Sequence, residues 1–183
     1  MKSHVWFTLA ALAWSLISFN AACAVDMFIK IKDIEGESVK PGHEGEIDIL
    51  AWSWGSHHSS ISRPNGPTRY SGTATNMDMT FSKKMDASSS DLFLACNNGK
   101  HLGDVFIMSV DESRKLEPYL TIMFFDATCT SYSVSSSGED PVPTENVTLN
   151  FSKIEFKYQE QKDDGSQGGN VELGYDLAKG KKV

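Results

Sequence analysis

The sequence is short of basic charge, short of cysteine, and empty of the compact motifs that carry catalysis. Its 183 residues hold 17 Lys and Arg against 24 Asp and Glu, a formal net charge of −7. No basic stripe is present to neutralise phosphates, which argues against a nucleic-acid partner. There is no H-E-x-x-H, no G-x-S-x-G and no glycine-rich phosphate loop. His57 and His58 are adjacent, and neighbours in an extended chain point apart, so they chelate one metal poorly; His43 and His101 are remote in sequence. Gly165, Gly168 and Gly169 read as a turn, and Asp163-Asp164 as solvated charge in a polar loop. No catalytic, cofactor-binding or metal-ligating residue stands out. The reading is a chain without enzyme activity and without a cofactor.

The only sustained apolar run lies at the start. Residues 5–19 read V-W-F-T-L-A-A-L-A-W-S-L-I-S-F after a short positive stretch carrying Lys2. Ala22-Cys23-Ala24 then supplies the small residues of an A-x-A cleavage site. The run falls short of the roughly 20 residues that a membrane helix needs, so residues 1–24 read as a secretory signal peptide. A lipoprotein signal with Cys23 as the lipidated residue is the competing reading; Asn20 stands where such signals want an aliphatic side chain. Cleavage after Ala24 leaves one domain, residues 25–183, secreted or periplasmic. That domain keeps two cysteines, Cys96 and Cys129, and export permits a disulfide between them. The composition, 40% hydrophobic and 22% charged, is that of a soluble domain with a real core.

Patterning within 25–183 is mainly β. Residues 47–55 read I-D-I-L-A-W-S-W-G and predict a strand with Trp52 and Trp54 on one face, to be buried against a second sheet or a neighbouring subunit. Residues 27–32 alternate, and 73–82 predict a strand with Met77, Met79 and Phe81 together. Between them, 55–72 reads as a long polar loop. One short helix is expected near 88–98: Asp86 or Ser88 caps it, Ser88 with Asp91 approximates a capping box, and Asn98-Gly99 ends it. Leu92, Ala95 and Cys96 form its apolar face, with Phe93 beside them.

Two later strands are apolar on both faces. Residues 103–110 place Val105 and Ile107 against Phe106, Met108 and Val110; residues 119–129 place Tyr119, Met123 and Phe125 against Leu120, Ile122 and Phe124. Two-sided strands imply that the outer face is covered too, by the helix or by another subunit. In 147–158 the apolar positions switch from odd (Val147, Leu149, Phe151) to even (Ile154, Phe156, Tyr158), by a bulge near Ser152-Lys153 or by passage between environments. Residues 159–169 read as a polar hairpin loop, and 171–177 as the closing strand. Asn146-Val147-Thr148 matches a glycosylation sequon at a strand start.

Four blocks carry a family resemblance: D-M-F-I-K-I-K with G-E-S at 26–38 leading into the tryptophan strand, L-A-C-N-N-G-K-H at 94–101, P-T-E-N-V-T-L-N-F at 143–151, and G-Y-D-L-A-K-G-K-K-V at 174–183. In this order the chain resembles the haemolysin-coregulated protein (Hcp) family, the tube subunits of type VI secretion. The resemblance implies a small antiparallel β-barrel or sandwich with one short α-helix, a hexameric ring with a central pore, and no enzyme activity. It implies stacking of rings into a tube, with a spike protein and a small effector cargo as partners, and no membrane partner after signal cleavage. It also implies that the loop at 55–72 reaches a neighbouring ring. Tyr175 stands where the family commonly has tryptophan, and the signal segment departs from the family habit. Because the family counterpart of Cys96 works in a reducing cytoplasm, both thiols are expected buried and unbridged. A freely secreted ring acting as effector or adhesin is a variant of the same reading. The alternative from another class is a periplasmic β-sandwich that binds a sugar on Trp52, Trp54 and Tyr70.

Overall fold

The computed structural model describes residues 25–61, 70–111, 117–162 and 166–183. The expected signal segment, residues 1–24, lies outside them. Twelve strands and one helix are described. In chain order they are β1 (Val25–Ile31), β2 (Ile47–Asp48), β3 (Ala51–Ser53), β4 (Ser56–Ile61), β5 (Tyr70–Asn76), β6 (Met79–Lys84) and α1 (Ser89–Asn98). They continue with β7 (His101–Asp111), β8 (Pro118–Ser135), β9 (Thr144–Asn150), β10 (Lys153–Gln161), β11 (Gln167–Asp176) and β12 (Lys181–Lys182). Every pairing is antiparallel.

The long strand β8 organises the rest. Its first half pairs with β7 and β10, through Ile107↔Ile122 and Phe156↔Ile122. Its second half leaves β10 and pairs with β9, through Cys129↔Leu149 and Tyr132↔Val147. The change of partner occurs at Asp126, whose φ is 60°. One residue in the left-handed region inserts a step in the alternation, so Phe124 and Ala127 both face the core. The sheet therefore bends into two wings, β12-β11-β10-β8-β7-β1-β2 and β8-β9-β6-β3. The shift of apolar phase in 147–158 has the same origin. β9 serves one wing and β10 the other, with Ser152 between them donating its N–H to the Phe125 carbonyl at 3.0 Å.

Three expectations change here. The sheet is not closed into a barrel: the tryptophan strand is broken into β2 and β3 at Ile49-Leu50, where Ile49 N–H bonds the Met27 carbonyl and Leu50 N–H bonds the Ser82 carbonyl. The polar stretch 55–72 is not one loop but contains β4 and the start of β5, paired as a separate two-stranded ribbon whose connection, 62–69, lies outside the described residues. Met77 is exposed, because β5 and β6 are separate strands and the alternation restarts with buried Met79 and Phe81.

The core lies between the wings and under α1. Ile29, Ile107, Ile122, Phe124 and Ile154 come from one wing, Phe81, Val147 and Leu149 from the other, and Leu92 and Ala95 from the helix. Gly36 lets the connection after β1 press onto β2, since a Cβ there would run into the Glu46 carbonyl and the Ile47 Cα.

Candidate assembly surface

The wing β7-β8-β10-β11 holds its residues in register across four strands. One face carries Ile107, Ile122, Phe156 and Leu173 in one row, then Ser109, Leu120, Tyr158 and Val171 in the next. The first half of this face is the core. Its far end runs past the second wing into solvent, where Tyr158 is 43% exposed, Leu173 47% and Val171 60%. Trp54 ends the covered part, its ring 5.6 Å from Phe156 and 6.3 Å from Phe151. Beyond Trp54 the apolar face is an overhang. The reverse face is also apolar at its centre: Phe106, Met108, Met123 and Phe125 are half-buried, with Lys153 Nζ 3.6 Å over the Phe125 ring. On the same reverse face Phe28 is fully buried beneath the stacked His43 ring, 4.3 Å away, and His43 Nδ1 lies 2.7 Å from Glu46 Oε2.

A second cluster holds the helix. Lys83 Nζ, on β6, is buried and donates to Glu145 Oε2 at 2.9 Å, to Ser89 Oγ at 3.1 Å and to the Lys84 carbonyl at 2.9 Å; Asp86 Oδ1 lies 2.7 Å away. Ser89 Oγ donates to Glu145 Oε2 at 2.9 Å, and the Tyr132 hydroxyl to Glu145 Oε1 at 2.6 Å. Burial pushes the Tyr132 phenol well above its ordinary value, and the neighbouring Glu145 carboxylate pushes it further. Five polar side chains thus tie β6, β8 and β9 to the start of α1. This arrangement binds elements of the fold together; it presents no nucleophile–base pair to a cleft. The expected capping box does not form: Ser88 occupies the N-cap, but its Oγ is donated to Asp86 Oδ1. Gly99 closes the helix with φ 67°, as expected of Asn98-Gly99.

The histidines stay apart. His57 and His58 lie on β4, opposite Thr75 and Ala74; His43 stacks on Phe28; His101 pairs with Asp126 at 3.2 Å. Among the described residues no three His, Cys, Asp or Glu converge on a metal position. Trp52 and Trp54 are partly buried against the core, and nothing here favours the sugar-binding alternative. An open cleft of about 340 Å³ is lined by Glu155, Lys157, Glu172, Gly174 and Val183 with Phe156 and Leu173, and Lys157 Nζ lies 3.7 Å from Glu172 Oε1 there.

The thiols differ from expectation. Cys96 and Cys129 form a disulfide, with their Cα atoms 4.7 Å apart. The reason is geometric: the last turn of α1 lies on β8 just after its bend, inside the Cα range that a disulfide spans.

A two-sided apolar wing with an uncovered overhang marks an antiparallel β protein of the class that packs against other chains. Comparison with known proteins gives the particular family. The family described as "Type VI secretion system effector, Hcp" matches residues 28–158. The chain is 41% identical over 157 residues to "Protein hcp1" of Pseudomonas aeruginosa, covering 84% of this chain and 96% of that one. Hcp1 from Salmonella typhimurium is a structural neighbour at TM-score 0.71 and 28% identity, covering 87% of this chain and 99% of its own. A type VI secretion effector from Yersinia pestis follows at TM-score 0.63 and 31% identity, with 82% and 99% covered. The chain belongs to the Hcp family, and it is a tube and ring protein of type VI secretion.

Proposed function

We propose that this chain assembles as a hexameric ring whose lateral contacts bury the overhang of β8, β10 and β11. The observation that carries the reading is the unfinished core: Tyr158, Val171 and Leu173 continue a buried face into solvent, and such a face is stabilised by a neighbouring copy. Two different surfaces meet in a head-to-tail ring, and rotation closes it. The β4–β5 ribbon projects as its own two-stranded sheet and is suited to reach the next ring in a stack. A spike protein and a small lumenal cargo are the partners of that tube, and residues 1–24 act as a cleaved signal that makes the mature chain begin at Val25. A freely secreted ring, outside any tube, is the variant that such export favours.

Light scattering on the mature chain tests the ring, with a mass of six protomers expected. A clean monomer at micromolar concentration refutes it. Mass spectrometry of the exported protein tests the processing; an intact Met1, or a lipid on Cys23, overturns it.

A further inference from the structure

The two sulfurs of the Cys96–Cys129 bond are unequally placed. Cys129 is 5% exposed, on a strand paired to Leu149 in the core. Cys96 is only half-buried, and Asn97, Asn98, Gly99 and Lys100 after it are all exposed. Thiol–disulfide exchange proceeds by attack of a thiolate on one sulfur while the other leaves, so access decides which sulfur is used. Cys96 is therefore the more open of the two to a thiolate from solvent, and Cys129 the more enclosed.

The helix is also unequally held. Its first turn is fixed by Ser89, which bonds Lys83 and Glu145, and its middle by Leu92 in the core and by the edge contact of Phe93 on Tyr132 at 5.6 Å. Its last turn depends on Ala95 and the disulfide. Opening the bond therefore frees the end of α1 and leaves its start in place.

We infer that Cys96 is the thiol-exchange site of this protein, with Cys129 as the resolving thiol, and that a small-molecule disulfide or thiol thereby sets whether the end of α1 is clamped to β8. In the closing direction the Cys96 thiol loses its proton and attacks the external disulfide. A mixed disulfide forms on Cys96, and one external thiolate leaves with that proton. The Cys129 thiol then loses its proton and attacks the Cys96 sulfur, and the second external thiolate leaves with it. Two protein thiols are oxidised and one external disulfide is reduced to two thiols. Reduction runs the same steps backwards, beginning with a thiolate on Cys96. The clamp is open in a reducing compartment and shut in an oxidising one.

The test uses the exported protein. Oxidised protein is partly reduced with glutathione, quenched in acid and mapped by peptide mass spectrometry. Glutathione on Cys96 is expected; glutathione on Cys129, or evenly on both, overturns the assignment. The single variants add a rate. Cys129→Ala, which leaves Cys96, takes up glutathione from its disulfide roughly tenfold or more faster than Cys96→Ala, which leaves Cys129. Equal rates, or the reverse order, refute it; if either variant fails to fold, the mapping of the unaltered protein decides. Hydrogen exchange reads the clamp. On full reduction the amides of Ala95–Asn98 exchange faster, while those of Phe124, Val147 and Leu149 keep their protection. No change at α1, or loss of protection throughout, rejects the local clamp.

Discussion

Lys83 and Glu145 face each other across β6 and β9, both fully buried, with Nζ 2.9 Å from Oε2. Each charge is out of water and is tolerated because the other is there, with Asp86 Oδ1 a second anion 2.7 Å from the same Nζ. Removing Lys83 leaves Glu145 as an uncompensated buried charge, whereas neutralising Glu145 leaves Lys83 still paired with Asp86. Lys83→Met alone is expected to cost about 3–5 kcal/mol in denaturant unfolding, and Glu145→Gln less, because Asp86 still faces Lys83. The double change Lys83→Met with Glu145→Leu is expected to cost far less than the two singles together, since it removes both charges. A double-mutant cycle with no coupling sets this account aside.

The same cluster makes stability depend on alkaline pH. Tyr132 keeps its proton in the folded state because burial, and then Glu145, disfavour the phenolate. The unfolded chain releases that proton near the ordinary value of 10.0. The folded state therefore binds more protons above that pH, and stability falls as pH rises. The contribution is fully present below pH 10 and is lost progressively above it. Tyr132→Phe should weaken the protein by about 1–3 kcal/mol at neutral pH, through the lost bond to a charged acceptor. Above pH 10 its stability should fall less steeply than that of the parent. Parallel slopes for the two proteins would show that Tyr132 does not supply the alkaline limb.

Bonding Cys96 to Cys129 closes a loop across a sequence separation of 33. The chain-entropy account gives such a loop about 3–4 kcal/mol of stabilisation, through restriction of the unfolded state. Guanidinium unfolding with and without reductant should show that difference. An unchanged midpoint would mean that the reduced unfolded chain is already restricted, or that the bond is absent from the exported protein.

Much of this architecture is legible in the residues. Alternation in 27–32, 103–110 and 119–129 places β1, β7 and β8, and Asn98-Gly99 places the end of α1. The phase switch between Phe151 and Ile154 marks the crossing from one wing to the other. What escapes the sequence depends on long-range partners. Lys83 lies in a run of ordinary strand polarity, and nothing local distinguishes a solvated Lys from one held by Glu145, 62 residues on. Export makes a Cys96–Cys129 bond permissible, but only the docking of α1 on β8 brings the sulfurs together. The β4–β5 ribbon escapes because its strands, S-H-H-S-S-I and Y-S-G-T-A-T-N, show no apolar period. The overhang is foreshadowed by two-sided apolar strands, yet only the register reveals that Leu173 and Val171 extend a core row.

Asp126 carries the bend of β8 with φ 60°. Aspartate tolerates that region better than most residues, and β-branched side chains tolerate it least. Asp126→Val is expected to cost about 1–2 kcal/mol, and Asp126→Gly to be near neutral, in thermal unfolding. Equal effects of Val and Gly would indicate that the contact with His101, lost in both, matters more than the backbone.

Leu173 separates folding from assembly. It is paired to Phe156, and about half of its surface is exposed beyond the core. Exposed positions away from buried networks change stability little, within about 0.5 kcal/mol. A charge placed there must instead be desolvated whenever a neighbour covers the overhang. Leu173→Asp is therefore expected to leave the unfolding midpoint and circular dichroism of the protomer near those of the parent, while light scattering falls from ring to monomer. Met77→Asp is the control, because Met77 is equally exposed but lies off this face, after the end of β5. Rings that persist in Leu173→Asp would move the lateral contact elsewhere, with the reverse face of Phe106, Met123 and Phe125 as the next surface to test. Loss of rings in both variants would mean that charge alone dissociates them, and the overhang would lose its special place.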